Sequence, residues 1–550
     1  MNRNTQAHFA INPTNLDISR SKFTRPSTHK TTFNTGDIIP IYVDEILPGD
    51  TCKMDMSALI RMSTPIYPVM DNAYCDFYWF FVPNRLVWEH WKEFNGENNT
   101  TFWEQTTEYE IPQTTSPSGG WTKGTIADYM GIPTLIENLS ISSLPFRAYC
   151  LIYNEWFRDE NLKQPAMINL DDTTQTGSNG NNEIQDAQLG GMPLHAAKYP
   201  DYFTTALPEP QKGPDVLLPL GTSAPITGEI QNVIFGNETI NEGSLRIKTT
   251  GDAPVYYRTS SGTATPDPTG STLRILIPDT KGNKITNELT ANLAEATGAT
   301  INQLRQAFAV QRLYEKDARG GTRYTEIIRA HFGVVSPDAR QQRPEYLGGH
   351  RIPINIQQVV QNSSTDDITP QGNVAAFSLT TNSEHTFTRS FTEHGLLLGL
   401  AVVRTDHTYQ QGIDRMWSRK KRLDYYWPSL ANIGEQAILN KEIYAQGTNA
   451  DEEAFGYQEA WAEYRYKPNR VSGAFRSNYK TTLDSWHYAD YYTSQPILGS
   501  QWINETRANV NRTIAVQDQL EDQFLGDFFF KNTMVRPMPV YSIPGLIDHH

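Results

Sequence analysis

The stretch that most limits how this chain can fold is "DNAYCDFYWFFVPNRLVWEHWKEF", residues 71–94. Tyr74, Cys75, Phe77, Tyr78, Trp79, Phe80 and Phe81 put apolar bulk on both faces of any strand built here. A strand with one wet face would alternate apolar and polar residues. A second run of this kind, "HGLLLGLAVVR" at 394–404, suits a strand buried on both faces. Only 38% of the chain is hydrophobic, so whatever covers these second faces has to be specified elsewhere.

At 550 residues the chain exceeds what one hydrophobic core usually serves, so several cores or one core with long insertions are expected. With 37 Gly and 33 Pro it reads as folded and loop-rich. The formal charge of -14 argues against wrapping duplex nucleic acid over the whole surface, but local basic patches remain open. Cys52, Cys75 and Cys150 have no metal-ligand spacing and imply assembly in a reducing compartment without a disulfide framework. No secretory signal is read at the N-terminus, and the run at 395–403 is about half a membrane span, so a soluble chain is expected.

Four regions are expected. Residues 1–36 form a basic arm, with Arg3, Arg20, Lys22, Arg25 and Lys30 against Asp17. Such an arm is either mobile or ordered by nucleic acid or a neighbouring subunit. Residues 37–208 begin the body. "DIIPIYVDEILPGD" reads as an edge strand, and "TCKMDMSALIRM" sets Cys52, Met54 and Met56 on one face. Asn84 caps a short helix with Val87, Trp91 and Phe94 on its stripe, and "SLPFRAYCLIYNEWFRDE" forms a second. Residues 209–299 lack Trp and read as a β-rich surface insertion, with strand signals in "GSLRIKTT" and "TLRILIPDT". Residues 300–550 resume the body with "TINQLRQAFAVQRLYEKDARGG", where Thr300 and Gln303 match a capping box and Ile301, Leu304 and Phe308 predict a buried stripe. Strands follow in "HRIPINIQQVVQ" and "EHTFTRSF". Strands without a regular strand–helix repeat predict a mainly β, antiparallel sandwich with helical insertions.

Chemistry is sparse. Glu459 and Glu463 are four apart and could share a helical face, the best case for a carbohydrate-binding β-sandwich or glycoside hydrolase, although a reacting pair must flank a cleft. From Asp172, Gly177 and Glu183 stand at the sixth and twelfth positions of a calcium loop, but Thr174 and Thr176 replace expected ligands. No catalytic residue, zinc spacing or nucleotide loop is read, no cofactor is expected, and a structural divalent cation has no assigned site beyond that weak match. The scattered histidines read as core or loop residues. The strongest charged feature is "GIDRMWSRKKRLDYYWPSL", which sets Arg415, Arg419, Lys420, Lys421 and Arg422 near Trp417, Tyr425, Tyr426 and Trp427. Cations neutralise phosphates and rings stack with unpaired bases, while the alternative is a charged rim around a protein contact.

The chain also resembles the major capsid proteins of the gokushovirus group of microviruses. The likeness lies in "RSKFTRPSTHKTTFNTGDIIPIYVDEILPGDT", "YCDFYWFFVPNRLVWEHWKEFNGE", "PFRAYCLIYNEWFRDENL", "RYTEIIRAHFGVVSPDARQQRPEYLGG", "SFTEHGLLLGLAVVR", "LDSWHYADYY" and "RPMPVYSIPGL". The resemblance implies an eight-stranded jelly-roll barrel with large insertions. It further implies a T=1 shell of sixty copies around single-stranded DNA, with two-, three- and five-fold self-contacts. A small basic DNA-binding protein, a scaffolding protein and a host surface receptor are the implied partners. The insertion at 209–299 would form a three-fold protrusion and serve host attachment. Assembly would occur in the bacterial cytoplasm. No catalytic residue is carried over.

Overall fold

The computed structural model describes residues 18–98, 107–216, 301–363, 365 and 370–541, together with the backbone of short strands between 226 and 291. It divides into two compact units, Met1–Lys212 with Glu315–His550, and Gly213–Tyr314.

Eight long strands frame the first unit: β1 (Arg20–Phe33), β2 (Ile39–Ile46), β3 (Thr51–Met62), β4 (Ala73–Pro83), β5 (Glu345–Pro353), β6 (Thr380–Ser390), β7 (Gly395–Thr405) and β8 (Phe524–Pro537). They form two antiparallel sheets, in the orders β1-β8-β3-β6 and β5-β4-β7-β2. The chain changes sheet at every connection except β4 to β5, which pair with each other although residues 84–344 lie between them. That is a jelly-roll-like topology. Among the described residues no hydrogen-bonded strand pair joins the two sheets, so the expected closed barrel is instead an open sandwich. The sheets are held by side chains meeting between them. Cys52, Met54, Met56, Phe528 and Phe530 of one sheet share a core with Phe77, Trp79, Phe81 and Leu397 of the other.

The doubly apolar strands are central in the second sheet. In β4, Cys75, Phe77, Trp79 and Phe81 face the sandwich core, while Phe80 and Val82 enter a second core. In β7, Leu397, Ala401 and Val403 face inward and Leu396, Leu398, Leu400 and Val402 outward. The chain's own insertion provides the cover. Helix α1 (Leu144–Ile152), Val87, Trp88 and Trp121 fill the second core. The Tyr149 hydroxyl donates to the Ile38 carbonyl at 2.7 Å and accepts from the Leu194 amide at 3.0 Å, tying α1 to both flanking segments. On the same outer face Asp76 receives Arg351 at 2.7 Å and Arg404 at 2.5 Å. Against the upward push of burial, these guanidiniums hold its carboxyl below the usual range.

Three local expectations differ from the structure. Residues 20–33, expected within an arm either mobile or ordered by a partner, are strand β1, paired along their full length with β8 of the same chain. Polar, β-branched "RSKFTRPSTHKTTF" does not bury much surface, but as an edge strand it needs only one neighbour. After Pro83 the helix is a single turn, Trp91–Phe94, and Phe94 is exposed. Helix α2 (Ile301–Gly320) forms as its period predicts, but Ile301 and Phe308 are 70% and 58% exposed and Ala318 alone is buried. Periodicity dictates a shared face; it does not supply a partner for that face. Thr300 and "GSLRIKTT" lie outside the described residues. In the second unit, Asn232–Phe235 pairs antiparallel with Glu238–Asn241 and with Arg274–Ile275, the latter inside the predicted "TLRILIPDT".

Candidate nucleic-acid interface

The basic segment at 415–422 has little regular structure. Short turns span Arg415–Ser418 and Arg422–Asp424. The Asp424 carboxylate accepts the backbone N–H groups of Lys420 and Lys421, both at 2.7 Å, and these bonds draw its pKa down. One acid therefore closes the turn that displays two lysines. Trp417 is 70% exposed, and Tyr425, Tyr426 and Trp427 are also exposed.

The five cations do not act alike. The Arg415 guanidinium donates to the Ala437 carbonyl at 2.8 Å and lies 3.3 Å from Glu442. Arg419 pairs with Glu463 at 2.7 Å and lies over the Tyr464 ring, 4.4 Å from its centroid. Among the described residues Lys420, Lys421 and Arg422 make no ion pair, and Arg422 stacks over Trp427 at 4.6 Å. Two arginines thus brace the fold, and three cations with exposed rings face outward.

Beside this segment lies a cavity of about 350 Å³. Arg415, Arg419 and Trp417 line it together with Tyr464, Tyr466, Lys467 and Arg470. Lys467 and Arg470 both bond the same oxygen of Asp414, at 2.6 and 2.5 Å. Burial pushes that carboxyl up, but the two cations outweigh it and hold Asp414 below its ordinary value. Burial raises the Glu442 carboxyl against the pull of Arg415. The second group of residues was missed by sequence reasoning; the alternation of rings and cations in "YRYKPNR", 464–470, is the signal that would have found it.

The N-terminal cations divide in the same manner. Arg3 lies outside the described residues. Arg20 donates to the Gly49 and Val535 carbonyls and to Thr51, which fastens the β1 end. Arg25 forks onto both Asp44 oxygens at 2.6 and 3.1 Å. Lys30 reaches Asp527 only at 3.5 Å with both side chains exposed, and Lys22 makes no ion pair among the described residues.

The enzyme-like pairs come apart. Glu459 ends the strand Ala454–Glu459 and pairs with Arg465 at 2.5 Å, whereas Glu463 sits in the turn Ala462–Tyr464 on Arg419. They do not share a helical face. Asp172 accepts from the Trp88 indole at 2.6 Å, and Glu183 pairs with Lys163 and His195, both at 2.8 Å. Among the described residues no group of three or more His, Cys, Asp or Glu is arranged to hold a metal ion. A buried charged cluster does exist: both ring nitrogens of His407 are engaged, Nδ1 with Asp490 at 2.8 Å and Nε2 with Glu505 at 3.1 Å. Burial would lower the imidazole pKa, but the two carboxylates raise it to about 10. His407, Asp490 and Glu505 are buried and serve the fold.

Comparison with known proteins gives the chain a family. The family model described as capsid protein (F protein) matches residues 13–546. Capsid protein VP1 of Bdellovibrio phage phiMH2K is 44% identical over 570 aligned residues, covering 99% of this chain and 98% of that one. Capsid protein VP1 of Spiroplasma virus 4 is 44% identical over 547 residues, and that of Chlamydia phage 1 is 41% identical over 578, each covering 96% of both chains. With a match that runs through both sheets and the insertions between them, the chain belongs to the phage capsid protein (F protein) family.

Proposed function

We propose that this chain is the shell-forming subunit of a small icosahedral phage, sixty copies building a T=1 shell around single-stranded DNA. As a family member it is a structural capsid protein and not an enzyme. The observation that carries the reading is the strand order β1-β8-β3-β6 over β5-β4-β7-β2, that of an eight-stranded jelly roll, in a chain similar to VP1 proteins over nearly its full length. A sandwich sealed on its outer face by its own insertion is a rigid block that exposes loops and edges for contact with copies of itself.

Within that shell, of the candidate DNA contacts among the described residues, Lys22, Lys30, Lys420, Lys421 and Arg422 remain free of short ion pairs and available to phosphate. Arg20, Arg25, Arg415 and Arg419 act there through the structure they hold, and Arg3 extends the same N-terminal charge. Trp417, Tyr425, Tyr426 and Trp427 offer rings to unpaired bases. The N-terminal cations face the interior. Residues 209–299 supply the three-fold protrusion and host attachment, while a small basic protein and a scaffolding protein assist packaging and assembly in the bacterial cytoplasm.

Native mass measurement of the expressed chain, with and without single-stranded DNA, tests the reading. Closed particles of about sixty chains are expected. A chain that stays a monomer or dimer under all assembly conditions refutes it.

A further inference from the structure

The cavity beside residues 413–419 combines three properties that a solvated face lacks. Its volume, about 350 Å³, falls in the range of small-ligand pockets, ~300–1,000 Å³. Its charge is unbalanced: the cations Arg415, Arg419, Lys467, Arg470 and Arg476 face the acids Asp414, Glu442 and Glu463. Its rings are available, because Tyr464 is 53% exposed although Arg419 lies over it.

We propose that this cavity binds one nucleotide unit, with the base stacked on Tyr464 and the phosphate held by Lys467 and Arg470. The floor is already neutral, since Arg415 is matched by Glu442 and Arg419 by Glu463. Of the two excess charges, one is Arg476, which donates to the Gln410 carbonyl at 2.7 Å, and the other sits at the mouth, where one Asp414 oxygen serves two cations whose side chains are 63% and 55% exposed. A single negative group is what that pair lacks. Tyr464 is the platform: the Arg419 guanidinium stacks over the ring, and a base on the ring extends this stack. Glu463 lines the same cavity with one oxygen bound to Arg419; its other oxygen makes no hydrogen bond among the described residues and accepts from an exocyclic amino group. The site therefore prefers adenine, cytosine or guanine to thymine, and it excludes duplex DNA, whose bases present no free face.

The same chemistry has two sources, an unpaired nucleotide of a packaged strand or a free nucleoside monophosphate. The proposal rests on the capsid reading only for the first source. Equilibrium dialysis of the full-length chain against labelled dAMP gives the primary measurement. One saturable site per chain is expected, weakened at least tenfold by Tyr464→Ala and by Arg470→Gln at unchanged melting temperature, and kept by Tyr464→Phe. Thymidine monophosphate binds more weakly than dAMP, and inorganic phosphate competes poorly. No saturable binding, unaltered binding in both variants, or equal competition by phosphate overturns the pocket. In purified particles, a photo-crosslink from Tyr464 to the genome assigns the packaged strand as source, and a dialysable nucleotide assigns the free one. Particle mass is read separately. Normal particles with no dAMP site sink the pocket and leave the shell, whereas a dAMP site on a chain that never assembles does the reverse.

Discussion

Leu397 and Leu398 are consecutive on β7, both fully buried, and belong to different cores. In a sheet with one wet face, truncating one of two neighbours would be nearly neutral, within about 0.5 kcal/mol. Here each Leu→Ala change removes buried side-chain carbons and leaves a space that close-packed surroundings refill only in part, at a cost of about 2–5 kcal/mol. Leu397 is backed by both sheets, and Leu398 by α1 and its neighbours. They share no core, so the double variant should lose the sum of the two costs within about 0.5 kcal/mol. Denaturant unfolding of the purified, unassembled chain, followed by tryptophan fluorescence, measures all three variants. A Leu398→Ala cost below about 0.5 kcal/mol would show that the insertion does not seal the sheet. A double variant far from the sum would show that the two sites interact energetically through the strand they share.

Further outcomes follow from the charged groups and the unit boundary. His407→Gln strands Asp490 and Glu505 and should cost about 3–5 kcal/mol near neutral pH. Because the folded imidazole titrates at about 10, its contribution is complete below the unfolded value and disappears as pH rises toward 10. The parent's stability should therefore fall across that window, measured by melting temperature, and the variant should lack this fall. Arg25→Gln should cost at most about 1 kcal/mol, since Arg25 is partly exposed, and should speed hydrogen exchange along β1. Lys22→Gln with Lys30→Gln should leave both unchanged while reducing packaged DNA, read by the absorbance ratio of purified particles. Replacing residues 217–298 with a short Gly/Ser connection should preserve cooperative unfolding of the first unit, and a non-cooperative transition by circular dichroism would move the boundary.

Much of this architecture is written into short stretches of chain. The two-faced apolar runs at 74–81 and 395–403 demand a second cover, and "TCKMDMSALIRM" declares its buried face, because side-chain alternation is a local property of extended backbone. Long ordered likeness marks the family in the same direct manner. What local pattern cannot carry is pairing between distant segments. That β1 is a strand at all depends on β8, some 500 positions later by register, and the pairing of β4 with β5 spans the whole insertion. The basic cluster shows the same limit. Its five cations look equivalent along the chain, yet Glu442 and Glu463, brought in by the fold, neutralise two of them and leave three. Charge in sequence is a property of residues; free charge is a property of neighbours, and only tertiary structure assigns those.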